Sequence, residues 1–166
     1  MSTFRLPIVT QGALPDSSGE VFFEPYSVKA TNDLLGGLVL IMNDSATRNG
    51  IRGNFQIPQN YVGSAKIIID WTATATTGDV EFDFDYRAIA VGETLDQATV
   101  QETVNINDTA PAAIHERQTA ELTLTSANLV VGDQVLFELF RDGTDAGDTM
   151  AAAAIVFGVY FEYSDV

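Results

Sequence analysis

The sequence predicts an all-β protein: one jelly-roll-like β-sandwich of about 8–10 antiparallel strands, preceded by an extended N-terminal arm. Three observations carry that prediction. Apolar residues almost nowhere recur with helical spacing; short apolar or alternating runs are instead cut by clusters of Gly, Asn, Asp, Ser and Pro. Of the 166 residues, 46% are hydrophobic and 19% charged, enough apolar material for one ordered core. No linker, repeat or low-complexity tract divides the chain.

The elements follow in order. Residues 1–17 are assigned to the arm and 18–166 to the sandwich domain. Within the arm, "STFRLPIVTQ" (residues 2–11) is extended and apolar, and Pro7 bars a helix. Phe4, Arg5, Leu6, Pro7, Ile8 and Val9 have no evident partner strand nearby in sequence. They are therefore the candidate contacts to a neighbouring subunit, by addition to the edge of its sheet. An ordinary edge strand of the domain's own sheet suits the same residues equally well.

After the turn "LPDSSGE" come the runs "VFFEPYSV" and "LLGGLVLIM", the loop "NDSATRNG", and "IRGNFQI" ending at "PQNYVGS". "AKIIIDWTATA" then turns at "TTGD" into "GDVEFDFDYRAI", a candidate hairpin. "ATVQETVNI", "HERQTAELTLT", "DQVLFELFR" and "AAAAIVFGVYFEY" complete the strands. "SANLVVGD" is the one candidate helical turn, with Ser126 as its cap. Trp71, Phe82, Phe84, Phe137, Val159 and Phe161 are assigned to the core. The final apolar strand carries few polar residues, which suggests burial on both faces, one of them against another subunit.

Charge and composition exclude several functions. With 23 acidic and 8 basic residues the net charge is −15, and the bases are scattered, so neither nucleic acid nor an anionic membrane is an expected partner. The absence of cysteine removes disulfides and thiolate chemistry, and a single histidine, His115, cannot form an imidazole cluster. No secretory leader is visible, and "MAAAAIVFGVYF" is too short to span a bilayer, so a soluble protein is expected.

Two acidic clusters invite a chemical reading. On "GDVEFDFDYRAI", Val80, Phe82, Phe84 and Tyr86 alternate with Glu81, Asp83, Asp85 and Arg87, which puts three carboxylates on one face of a strand. "E-F-D-F-D" resembles the E-x-D-x-E strand of jelly-roll retaining β-glucanases. Asp85 is shorter than the Glu that signature requires where carboxyls must stand about 5 Å apart. A lone Trp71 also offers little for stacking sugars. The expectation is therefore a solvated or interfacial face and no catalytic residue. The second cluster, Asp142, Asp145 and Asp148 in "RDGTDAGDTM", has oxygens for calcium but neither EF-hand spacing nor a closing Glu. Arg141 is expected to bind one of these acids and hold the turn, so no metal and no cofactor are assigned.

Two longer stretches carry a resemblance. "IIIDWTATATTGDVEFDFDYRAI" and "LFRDGTDAGDTMAAAAIVFGVYFEY" are similar to a strand pair and a closing segment of small tailed-phage virion proteins with jelly-roll folds. The resemblance implies a capsid decoration (cement) protein: a homotrimer on the outer surface of the virion that binds the major capsid protein after synthesis in the host cytoplasm. The alternative is a tail or fibre module that binds carbohydrate or a receptor, expected to show exposed Tyr or Trp beside Asp or Asn. A glycoside hydrolase ranks below both.

Overall fold

The computed structural model describes residues 2–9, 14–15, 21, 23–29 and 34–165. Eleven strands run through them: β1 (Thr3–Pro7), β2 (Leu14–Pro15), β3 (Phe23–Lys29), β4 (Leu34–Met42), β5 (Asn49–Gln56), β6 (Gly63–Ala73), β7 (Asp79–Ile89), β8 (Glu102–Thr109), β9 (Gln118–Thr123), β10 (Gln134–Arg141) and β11 (Ala154–Ser164). They form two antiparallel sheets. One has the order β3-β4-β11-β6-β9 with β1 also on β11, and the other the order β2-β5-β10-β7-β8. This is the all-β, jelly-roll-like sandwich that the patterning predicts.

The core lies between the sheets. Val80, Phe82, Phe84 and Tyr86 of β7 all point into it, as their period of two requires. Phe84 stacks on Phe137 of β10 at 5.2 Å between ring centroids, and Phe55 of β5 meets Phe161 of β11 at 5.0 Å. Trp71 of β6 sets its edge against Phe82 at 5.6 Å and donates its indole N–H to Asp108 at 2.8 Å. All six residues assigned to the core from sequence are buried there.

Two sequence expectations are corrected. The β6–β7 segment is no hairpin: β6 pairs with β9 and β11, whereas β7 pairs with β8 and β10 in the other sheet. The "TTGD" turn carries the chain across the sandwich. Alternation decides which face of a strand is buried but not which strand lies beside it. Gly78 sits in this crossing at φ +91°, and a Cβ there would come within 2.7 Å of the Met150 backbone.

Second, the N-terminal segment is not a free arm. Thr3 to Pro7 pair with Ser164 to Tyr160 of β11 in the same chain, and Ile8 N–H continues the ladder by donating to Val159 O at 3.0 Å. Phe4 stacks on Tyr163, Arg5 pairs with Glu162 at 2.7 Å, Ile8 is buried, and Leu6 and Val9 pack against the core. A vacant stretch of β11's edge beyond β4 supplies the partner, which lies at the far end of the sequence. Residues 1, 10–13 and 16–17 of the expected arm lie outside the described residues.

On its outer side β11 carries an exposed Phe157 and half-buried Tyr160 and Glu162, and cover of that face by another subunit stays an expectation. A smaller revision concerns Ser126–Asn128, which do form one 3-10 turn. Ser126 does not cap it; its hydroxyl accepts the Ala65 N–H at 3.4 Å.

The same end of the sandwich holds a polar clamp. Glu102 of β8 accepts from Tyr86 Oη, from both the N–H and the hydroxyl of Thr125, and from Asn128 Nδ2. Burial pushes the Glu102 carboxyl up, but these donors together outweigh it and leave its pKa lowered. Glu102→Ala is expected to destabilise the fold by about 1–3 kcal/mol, because the buried Tyr86 hydroxyl loses its acceptor. The contribution should be present at neutral pH and fade as pH falls through the ordinary glutamate range. Urea unfolding of both forms at neutral and acidic pH measures it, and an equal difference at both would remove the charge from the account.

Candidate functional site

Candidate chemistry gathers on the outer face of the five-stranded sheet. Strand register aligns Arg52 of β5, Glu138 of β10, Asp85 of β7 and Thr103 of β8 as successive cross-strand neighbours. The four side chains therefore make one polar row across four strands. Glu138 pairs with Arg52 Nε at 3.0 Å and with Arg48 Nη2 at 3.1 Å; Asp85 takes the same Arg48 nitrogen at 3.2 Å. Thr103 Oγ1 donates to Asp85 Oδ1 at 2.6 Å. Arg48, from the turn before β5, lies over Phe140 with its guanidinium carbon 3.3 Å from the ring centroid.

Beside this row a groove of about 510 Å³ opens between the sheet and residues 95–100 of the β7–β8 connection. That volume is within the range of small-ligand sites. Arg52, Asp85, Arg87, Glu138 and Gln97 give it polar groups, while Leu95, Val100 and Leu136 line it with aliphatic carbon. The loop is tied down at its base: Gln101 N–H donates to Tyr86 O, Ala88 N–H to Gln101 Oε1, and Arg87 Nη1 to Thr99 O, all at 2.9–3.0 Å. The rings that line it, Tyr86 and Phe137, are turned into the core and buried. The exposed Tyr or Trp expected of a glycan-binding surface is therefore not part of this groove, and Trp71 is fully buried.

Two further carboxylates of β7 are not the wet side of a sheet. Glu81 is 4% exposed and Asp83 9%. The segment after β10 folds back over Glu81. Glu81 N–H donates to Asp148 Oδ2, Thr149 N–H to Asp79 O, and Gly147 packs on the Asn107 amide where a Cβ would clash at 2.3 Å. Burial is the main cause that raises both carboxyls, Asp83 to about 7. Neighbouring acids push the same way: Asp145, Asp148 and Asp142 on Glu81, and Glu81, Asp142 and Asp85 on Asp83. Glu81 is held by the Asn107 amide, but its Oε2 is buried with no hydrogen-bond partner. Neither acid lines the groove that Asp85 borders, so the three carboxylates of the glucanase-like strand are not displayed together.

The Asp loop is built for structure. Arg141 grips Asp148 with two parallel bonds, Nε to Oδ2 at 2.7 Å and Nη2 to Oδ1 at 2.6 Å. Asp142 Oδ1 accepts from the N–H and hydroxyl of Thr144, and Asp145 Oδ1 from Gly147 N–H, which are local turn bonds. Among the described residues no three acidic or histidine side chains converge as a metal site. His115 hydrogen-bonds Tyr26 Oη through Nδ1 at 3.1 Å and sits at φ +64°. Arg48, Arg52, Arg87 and Glu138 are absent from the sequence-level candidates, because only the strand register brings them together.

No protein-family model matches the chain, and no curated protein does. Solved structures do. A family 35 carbohydrate binding module from Clostridium thermocellum superposes with a TM-score of 0.51 at 12% identity, covering 99% of each chain. A family 22 xylan-binding domain from Paenibacillus barcinonensis gives 0.51 at 14% identity, covering 93% of this chain and 86% of that one. A family 35 module from Cellvibrio japonicus gives 0.50 at 13% identity, covering 99% and 95%. At these identities the likeness is one of fold, and it extends over nearly the whole chain.

Proposed function

We propose that the chain is a non-catalytic binding module for carbohydrate, with the groove over β5, β10 and β7 as its site. The observation that carries this reading is the row Arg52–Glu138–Asp85–Thr103 beside an aliphatic wall. Sugar hydroxyls donate and accept hydrogen bonds, so planar carboxylates and amides with fixed orientation recognise them, while ring C–H faces pack on aliphatic carbon. Ion pairs and the Arg48–Phe140 stack hold these groups in place before a ligand arrives, which reduces the ordering entropy of binding. The fold neighbours named as carbohydrate binding modules support the same reading, and it is the alternative that the sequence left open.

Isothermal titration with a panel of soluble oligosaccharides tests it. Binding is expected, and Asp85→Ala or Gln97→Ala should weaken it at least about tenfold, the equivalent of about 1.4 kcal/mol. Melting temperatures should stay within a few degrees, since neither side chain belongs to the apolar core. Undiminished binding in both variants would move the site elsewhere.

The capsid-decoration reading, with a homotrimer on the major capsid protein, keeps the two motif stretches as its support. Its anchoring arm, however, is seated within its own sheet. Sedimentation and binding to undecorated heads test it directly, and a monomer that ignores heads yet binds sugar removes it.

A further inference from the structure

Resting on that reading, we infer that Glu138 sets the charge preference of the groove, which selects neutral hydroxyl-rich sugars and turns away acidic ones. Three guanidiniums stand at or beside the groove, and each is engaged from within the chain. Glu138 offers Oε2 to Arg48 and Oε1 to Arg52, so one carboxylate engages two arginines from different elements. Asp85 takes Arg48 as well, and Arg87 donates to the Thr99 carbonyl on the covering loop. The paired N–H groups of a guanidinium are what a sugar carboxylate or sulfate would bind. An acidic ligand must therefore displace Glu138, and it must approach a chain of net charge −15.

A neutral sugar meets no such obstacle. Asp85 and Glu138 keep acceptor sites beyond their ion pairs, since an ionised carboxylate has about four lone-pair sites. The Gln97 amide donates and accepts at the groove wall. Leu95, Val100 and Leu136 give the C–H face of a ring its contact. Glu138 is 32% exposed, so its charge stands at the groove surface where a ligand meets it first.

The test compares neutral xylo-, manno- and gluco-oligosaccharides with oligogalacturonates, titrated into the wild-type chain and Glu138→Gln at low and high salt. Wild type is expected to bind a neutral series and to show no measurable heat with oligogalacturonate. Glu138→Gln keeps the shape but removes the negative charge that faces Arg48 and Arg52. It should gain oligogalacturonate binding by at least about tenfold, and high salt should erase the gain. Asp85→Asn, which loosens Arg48 alone, should gain less and provides the reading if Glu138→Gln does not fold. Wild-type preference for oligogalacturonate, or variants that bind it no better, overturns the charge filter and leaves the glycan site standing. Failure of wild type to bind any sugar overturns both.

Discussion

Arg141→Ala is expected to destabilise the fold by about 5 kcal/mol, enough to leave much of the protein unfolded at ambient temperature. Arg141 is fully buried at the end of β10, and Asp148 beside it is 1% exposed. Its guanidinium also donates to three backbone carbonyls: Met42 at the end of β4, Met150, and Ala152 at 2.7 Å. One side chain thus ties the five-stranded sheet, the six-stranded sheet and the segment between β10 and β11. Removing it strands a buried carboxylate and unpairs buried carbonyls, and each such group costs about 1–3 kcal/mol. Arg141→Lys keeps the charge but cannot make the fork of parallel bonds, so it should recover only part of the loss. Replacing both partners, as Arg141→Met with Asp148→Leu, should not restore stability either, because the carbonyls of Met42, Met150 and Ala152 still lack a donor. Chemical denaturation of the four forms measures this, and a near-native double variant would show that the ion pair alone matters.

Arg141 also shows what could be read from the sequence. An Arg directly followed by an Asp-rich turn predicts a local clamp, and that clamp is present. The alternation of Val80, Phe82, Phe84 and Tyr86 likewise predicts a core face, since side-chain period is a local property. Partner identity is not local. "TTGD" between two alternating strands fits a hairpin and a sheet-to-sheet crossing equally, and only the packing of Trp71 against Phe82 across the sandwich decides. β1 finds its partner at the opposite end of the chain. The groove depends on register in four strands, so Arg52 and Glu138 are unremarkable residues in "IRGNFQI" and "LFELF" until those strands are laid side by side. Burial of Glu81 was invisible for a related reason: a loop some sixty residues later in the chain covers it.

Burial of Asp83 leads to a pH dependence opposite to the usual one for acidic residues. Asp83 has its carboxyl pushed from 3.8 to about 7, by burial first and then by Glu81, Asp142 and Asp85. Arg48 alone among these charges lowers it, and its guanidinium is paired with Asp85 and Glu138. The strand neighbours that face Asp83, Asn105 on β8 and Phe140 on β10, are uncharged. In the unfolded chain the carboxyl returns to the ordinary aspartate range, so between there and about 7 the native state holds a proton that the unfolded state has lost. Stability must then fall as pH rises across that window. Holding one extra proton costs the native state about 1.4 kcal/mol for each pH unit crossed, so the loss is about 3–4 kcal/mol by the time the pH passes 7. Glu81, raised for the same reasons, adds to the slope in the same direction. Asp83→Asn removes the titrating group while keeping its size, so it should be more stable than wild type above neutrality and show a much flatter profile. Urea unfolding of both forms from mildly acidic to mildly alkaline pH reads this directly. A wild-type profile that is flat or rises with pH, or an Asn variant with the same slope, would mean that Asp83 is ionised in the folded protein and that an unidentified positive charge compensates it.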